Sequence, residues 1–318
     1  MKIVILDGQA VNPGDLSWDC FNQFGTVTVY QNTTTEADVI TRIADNEIVL
    51  VNKAPITAAV LETCPAIRLV CVVATGYNVV DCQAARAKGI PVCNVPSYGT
   101  NAVAQFTIAL LLEICHRISY HDALVHEGEW GKCGSFCFWR TPQMELAGKT
   151  LGIIGFGKIG RAVARIGRAL GMKVLAHSRS ENSEGKKLAE YVALENLLSE
   201  ADIISLHCPL FPETEKMINR DTISRMKDGA ILLNTSRGGL LDESAVAEAL
   251  RSGKIRAAAV DVVSQEPIAE SNSLLTAPNC IITPHMAWAP IESRRRLVDC
   301  VMENILCFLE GNPQNVVN

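Results

Sequence analysis

No stretch of this 318-residue chain is apolar for long enough to cross a bilayer. The best candidate, Ala102 to Cys115, falls short of the roughly 18 residues a span needs, and it carries Gln105, Thr107 and Glu113. A buried helix is the expectation there. The first residues, Met1 to Asp7, read as a strand entering a turn and lack the apolar region and small-residue cleavage site of a signal peptide. An excess of positive charge is also missing. With 29 Lys and Arg against 34 Asp and Glu, the net charge of −5 gives no electrostatic reason to expect nucleic acid or an anionic membrane as partner. The run Arg294-Arg295-Arg296 reads as the solvated face of a helix. Metal-ligand spacing is absent too: Cys133 and Cys137 have no second Cys or Cys/His pair to complete a structural zinc site. His116, His121 and His126 are five apart and do not share a helix face. No metal is expected. Most of the twelve cysteines sit inside apolar runs, as Cys71, Cys93 and Cys280 do, where cysteine acts as a small hydrophobe. A reducing, cytoplasmic compartment is the expected setting.

What the chain does contain is a regular alternation of apolar runs with helical patterns. "KIVIL", "EIVLV" and "LVCVVA" fall in the first hundred residues, and "TLGIIG", "KVLAH", "DIISL", "AILLN", "AAAVDV" and "CIITP" follow from residue 150. Runs unbroken by polar residues suit parallel strands covered on both faces, which argues for the doubly wound α/β class. A final helix over residues 290–309 places Ile291, Val298, Val301, Ile305 and Phe308 at helical spacing and stops before Gly311 and Pro313. The length has room for two domains. We expect a discontinuous substrate (catalytic) domain, residues 1–98 with 289–318, and a dinucleotide-binding domain, residues 99–288. The cleft between two such domains is the expected active site.

The second domain opens on a glycine fingerprint, Gly155-Phe156-Gly157-Lys158-Ile159-Gly160, with a strand pattern before it and a helical one after. Gly155 allows the tight turn, Gly157 lets a pyrophosphate approach the backbone, and Gly160 lets helix pack close to strand. The helix starting at Lys158 and Ile159 supplies free N–H groups to the phosphates. An acidic residue about 20 positions on binds the adenosine ribose in NAD enzymes. Here the second strand ends His177-Ser178-Arg179 instead. Serine removes the repulsion of a 2′-phosphate, and Arg179 offers a guanidinium fork to it. The reading favoured is NADP over NAD, or use of both; in the alternative, Arg179 lies over the adenine or in solvent and NAD is the cofactor.

Three polar residues stand just past apolar strands of this domain: Arg237 in "AILLNTSRGG", Glu266 in "AAAVDVVSQEP" and His285 in "CIITPHMAW". Ligands of open parallel sheets bind outside the carboxyl ends of the strands, where these three converge. A hydride arriving at a carbonyl carbon generates an alkoxide that needs a proton. His285 can supply it, with Glu266 favouring the imidazolium and fixing the ring. Arg237 can hold a substrate carboxylate and polarise the neighbouring carbonyl. Together they describe reduction of a 2-oxo acid. Taken singly, each has a structural reading: an ion pair for Arg237, a loop position for Glu266, a domain-junction hydrogen bond for His285.

With these residues in place the chain resembles, nearly end to end, the D-2-hydroxyacid dehydrogenase family. The resembling segments are "ATGYNVVD" (74–81), "NVPSYGTNAVAQ" (94–105), "GKTLGIIGFGKIG" (148–160), "HCPLFPET" (207–214), "NTSRGGLLDE" (234–243), "AAVDVVSQEP" (258–267) and "TPHMAW" (283–288). The resemblance implies a Rossmann-type domain beside a flavodoxin-like substrate domain. It gives Arg237, Glu266 and His285 the roles above. It sets Asp261 at the nicotinamide carboxamide, and Thr235 and Cys208 along the cofactor cleft. It assigns the amides of Thr75, Gly76 and Tyr77 to the substrate carboxylate, with Asn52 and Lys53 nearby. The segments "LDGQAVNPGDLSWD" and "HEGEWGKCGSFCFWR" are similar to the glycerate dehydrogenase, or hydroxypyruvate and glyoxylate reductase, branch. That implies hydroxypyruvate or glyoxylate as substrate, and a homodimer joined by the arm that carries Trp139, which would pack across the interface. The alternatives are a reductase for 2-oxo acids with larger side chains and a dinucleotide-sensing regulator of the same fold. His177-Ser178-Arg179 departs from the family's usual NAD pattern.

Overall fold

Strands of two to six residues, most of them apolar, build two parallel sheets in the structure, a computed structural model that describes residues 1–318. The chain divides into two compact units, Met1–Gly99 with Trp288–Asn318, and Thr100–Ala287, so Gly99 and Trp288 fall in the first.

In the first unit, β1 (Lys2–Ile5), β2 (Thr26–Val29), β3 (Ile48–Val51), β4 (Leu69–Val72) and β5 (Val92–Cys93) form one parallel sheet in the order β2-β1-β3-β4-β5. This is the 2-1-3-4-5 order of flavodoxin-like folds. Both central strands, "IVLV" and "LVCV", are buried along their whole length, as strands covered on both faces must be. The edge strand β2, "TVTV", was not among the expected runs. It alternates exposed and half-buried residues, because an edge position leaves one face partly in water. Asp81 caps the helix Cys82–Ala87 by accepting the Ala84 N–H at 2.9 Å. The chain end returns to this unit, where Val317 donates to the Val92 carbonyl at 2.9 Å and Cys93 pairs with Val316.

The second unit holds β6 (Thr150–Ile154), β7 (Lys173–His177), β8 (Glu190–Tyr191), β9 (Ile203–Leu206), β10 (Ala230–Asn234), β11 (Ile255–Val260) and β12 (Cys280–Ile282). Their order, β12-β11-β10-β9-β6-β7-β8, is the Rossmann order 3-2-1-4-5-6 with one strand added. The strand order reverses between β6 and β9, and in such sheets the crevice for a ligand opens there. No single helix is long and apolar enough to cross a membrane. The apolar helix Thr100–His116 instead lies with its Ile108, Leu111 and Cys115 in the core of this unit, and Arg117, in the left-handed region at φ 49°, separates it from the helix Ile118–His126. All twelve cysteines are free thiols.

One expectation is overturned. Arg294 is not on a solvated face; it is buried, whereas Arg295 and Arg296 are exposed. In the helix Ile291–Leu309, position 294 lies three, four and seven residues before Leu297, Val298 and Val301, on the stripe that packs against the sheet. Its guanidinium forks onto Asp15 with two bonds of 2.6 Å and also donates to the Val11 carbonyl at 3.0 Å and the Ala289 carbonyl at 2.7 Å. The hydrogen bonds from Arg294 hold the Asp15 carboxyl below its usual range. A depressed carboxylate stabilises the fold at neutral pH, and that contribution is lost as pH falls through its lowered value. Arg294→Met, which strips the carbonyls of Val11 and Ala289 of their donor, should lower the melting temperature by about 5 °C at pH 7. Arg295→Ala should leave it nearly unchanged, and the gap between wild type and Arg294→Met should narrow below about pH 4. Melting curves across pH measure both.

Candidate active site

The turn after β6 is built by exclusion of side chains. Gly155 sits at φ 92°, and a Cβ there would meet the backbone of His207 and Cys208 within 2.4–2.6 Å. At Gly160 a Cβ would fall 2.4 Å from the Gly155 carbonyl. Gly157 faces open space, and the helix Lys158–Ala169 that follows has no side-chain cap at its start. A cradle with a bare backbone at Gly157, ahead of uncapped N–H groups, fits the pyrophosphate of a dinucleotide. Lys158 and Ile159 are the first two residues of that helix.

At the end of β7 the Gly155 N–H donates to the His177 carbonyl at 2.8 Å, so the residues that follow stand beside the glycine turn. Ser178 is half-buried, and Arg179 is exposed with its guanidinium 5.1 Å from the Phe211 ring centre. At the end of β9, burial pushes the imidazole of His207 down to about 4, so it is neutral at physiological pH. Its Nε2 lies 2.8 Å from Ser205 Oγ.

Three side chains expected along the cofactor are engaged inside the protein. The Cys208 thiol lies 3.7 Å from the Met217 sulfur, and burial raises its titration above the usual thiol range. Thr235 shares a 2.8 Å hydroxyl contact with Thr107. Asp261, 1% exposed, accepts from Thr283 Oγ1 at 2.6 Å and from the amides of Met286 and Ala287 at 2.9 and 2.8 Å. These three residues act first as anchors of the loops around them.

Beyond β10, Asn234 accepts from the Ser236 N–H at 3.1 Å and donates to the Arg237 carbonyl at 2.9 Å, which turns the chain. Arg237 then stands exposed, and its guanidinium donates to the adjacent Ser236 carbonyl at 2.7 Å with no carboxylate as partner. Gly238 follows because a Cβ there would strike the Val263 carbonyl at 2.0 Å. Beyond β12, His285 adopts φ 53°, uncommon outside glycine, held by bonds from its N–H to the carbonyls of Asp261 and Thr283 at 2.8 and 3.0 Å. Its Nδ1 meets Glu266 Oε2 at 2.7 Å, and about a third of each side chain is exposed. Strands β10, β11 and β12 are neighbours, so Arg237, Glu266 and His285 leave adjacent strand ends.

Asn52, Lys53, Thr75, Gly76 and Tyr77 stand on the first unit, past the neighbouring strands β3 and β4. Asn52 is buried and donates through its amide to the Val73 carbonyl at 2.8 Å; Lys53 is exposed. Thr75 Oγ1 donates to the Val95 carbonyl at 2.9 Å, and Tyr77 is 39% exposed.

Two residues that organise these loops escaped the sequence reading. Asp7, just past β1, accepts the amides of Asn52 at 2.8 Å, Lys53, and Ala54 at 2.9 Å. Glu243, the first residue of the helix Glu243–Ser252, accepts from the N–H and Oγ of Ser264, both at 2.7 Å, and from Asn272 at 3.0 Å. It thereby straps the loop that carries Glu266. The only signal for Asp7 was an acid directly after a strand. For Glu243 it was an acid opening a helix, which reads as an ordinary first-turn residue.

A Rossmann-type sheet, a bare glycine cradle, a carboxylate-paired imidazole and an exposed guanidinium on neighbouring strand ends define a nicotinamide-dependent oxidoreductase. The comparisons agree. Residues 108–287 match the model of the D-isomer specific 2-hydroxyacid dehydrogenase NAD-binding domain. The chain is 54% identical to a hydroxypyruvate reductase of Blautia hydrogenotrophica over the full length of both. It is 40% identical to a glycerate dehydrogenase of Methylorubrum extorquens, covering 99% of this chain and 98% of the other. A D-lactate dehydrogenase structure from Escherichia coli superposes with a TM-score of 0.86 at 30% identity, covering all of both chains. The chain belongs to the D-isomer specific 2-hydroxyacid dehydrogenase family, binds a nicotinamide dinucleotide and acts on the CH–OH group of a small 2-hydroxy acid or its 2-oxo partner.

If Glu243 fixes the Glu266 loop, Glu243→Ala should lower kcat for 2-oxo acid reduction roughly tenfold to a hundredfold, the scale of a small misplacement of a reacting group. Glu243→Gln, which keeps one of the two oxygen acceptors, should recover part of it. Steady-state kinetics with unchanged kcat in Glu243→Ala would remove this role.

Proposed function

We propose that the enzyme reduces hydroxypyruvate and glyoxylate to D-glycerate and glycolate. The observation that carries the chemistry is the 2.7 Å contact of His285 Nδ1 with Glu266, on strand ends adjacent to an arginine without a carboxylate partner. The substrate class is supported by the hydroxypyruvate reductase and glycerate dehydrogenase relatives. When bound, the reduced nicotinamide supplies a hydride to the carbonyl carbon. Arg237 holds the substrate carboxylate and draws charge onto the carbonyl oxygen. Glu266 accepts at Nδ1 and fixes the ring, which leaves Nε2 of His285 to deliver the proton to the new alkoxide. By the family resemblance, the amides of Thr75, Gly76 and Tyr77, with Asn52 and Lys53, serve the substrate carboxylate.

The cofactor reading is NADP(H) in preference to NAD(H), supported by Ser178 and Arg179 where an acid would repel a 2′-phosphate. The active form is proposed as a cytoplasmic homodimer. Phe136, Trp139 and Trp130 are 89, 65 and 51% exposed on the arm that follows the helix Ile118–His126, an unusual density of bare aromatic surface. Trp139→Ala should shift the protein toward monomer in analytical ultracentrifugation; an unchanged dimer with unchanged substrate KM would sink this role.

Turnover of hydroxypyruvate, glyoxylate and pyruvate, each with NADH and NADPH, tests the whole reading. Hydroxypyruvate and glyoxylate should lead, with NADPH ahead of NADH. A faster rate on pyruvate, or on a 2-oxo acid with a larger side chain added to the set, would replace the substrate. His285→Ala should lower kcat by roughly 10²–10⁴-fold while dinucleotide binding persists, and near-wild-type turnover in that variant would overturn the mechanism.

A further inference from the structure

Phe211 is an exposed aromatic residue with a fixed backbone and one visible partner. It follows β9, whereas Arg179 follows β7, and β6 lies between those strands in the sheet. The guanidinium of Arg179 rests 5.1 Å from the ring centre. The contact therefore links the two loops that flank the strand ending in the glycine turn. The ring stands on a rigid base. The Phe211 N–H donates to Thr214 Oγ1 at 2.8 Å, and its carbonyl accepts the amides of Thr214 and Glu215, both at 3.0 Å. Proline lies two residues before and one after it.

Five of the 17 arginines of this chain hold a carboxylate, and Arg179 is not among them. Arg68, Arg140, Arg220, Arg225 and Arg294 are paired with carboxylates. The guanidinium of Arg179 lies over the Phe211 ring, and its N–H groups donate to no carboxylate or carbonyl of the protein. A stack of this kind limits rotation of a long side chain without consuming its donors. The N–H fork is then pre-organised for an anion, and its chain neighbour Ser178 carries a hydroxyl.

We infer that Phe211 is a positioning residue for cofactor selectivity: its ring holds the Arg179 guanidinium where it meets the 2′-phosphate of NADP(H). This rests on the NADP(H) reading given above. The ring acts through Arg179, so its effect should appear in the discrimination between phosphorylated and unphosphorylated ribose.

The test uses the whole cofactor-free protein and titration calorimetry with adenosine 2′,5′-bisphosphate and with adenosine 5′-monophosphate, beside the ratio of kcat/KM for NADPH and NADH. Phe211→Leu keeps an apolar side chain and removes the π face; Phe211→Tyr keeps both. Phe211→Leu should narrow both ratios by roughly threefold to fivefold, the size of one exposed cation–π contact. Phe211→Tyr should retain them, and Arg179→Ala should abolish them. A wild-type ratio in Phe211→Leu alongside a collapsed one in Arg179→Ala would overturn the role of Phe211 and keep the NADP(H) reading. Equal weakening of both nucleotides in Phe211→Leu would also overturn it, because the ring would then be touching the adenosine itself. Wild-type protein that does not distinguish the two nucleotides would fell the NADP(H) reading, and this inference with it.

Discussion

The position of His285 depends on the buried carboxylate of Asp261. That carboxylate gathers one hydroxyl and two amides from residues 283 to 287, while the Asp261 carbonyl takes the His285 N–H. The backbone at His285 is thereby kept in a conformation that few non-glycine residues adopt. The cause is general to parallel sheets. Past the carboxyl end of a strand the ladder stops, and the loop that follows has amides with no partner. A carboxylate set at that level satisfies several at once, with the added strength of charge-assisted bonds. Asp7 does the same in the first unit, where it takes three successive amides past β3.

Further ties join one loop to the next. Ser236 Oγ donates to the Cys208 carbonyl at 2.6 Å, linking the β10 loop to the β9 loop. Glu243, on the helix that follows the Arg237 turn, grips Ser264 and Asn272 on the β11 loop. Gly238 lets the same two loops touch through backbone alone. Arg237 and Glu266 thus sit on a braced framework, and their own side chains keep polar groups at the surface.

Much of this was legible in the sequence. Both sheets were readable because their central strands are buried on two faces and so appear as unbroken apolar runs. Arg237, Glu266 and His285 stood out because each is polar and falls within six residues of the end of such a run. Edge strand β2 was invisible for the opposite reason: its threonines face water and break the run. Asp261, Thr235 and Cys208 were assigned by resemblance to a cofactor, and residue type alone could not show that their side chains are bonded within the protein. Glu243 and Asp7 act through hydrogen bonds to residues 21 to 47 positions away, which no local pattern encodes. Arg294 is the instructive case. Periodicity places it on the buried stripe with Leu297, Val298 and Val301, but three arginines in a row outweighed that phase information.

The return of the chain end to the first unit has a consequence for how the protein emerges from the ribosome. Residues 100–287 are continuous, so the second unit holds all its strands before residues 288–318 exist. The first unit must wait. Val92 pairs with Val317 and Asn318, and Val11 and Asp15 with Arg294, across separations of 225 to 283 residues. Contacts this distant in sequence form late and slowly. Residues 1–99 are therefore made well before the segment that completes their unit, and their apolar strands stay without those partners until residues 288–318 follow.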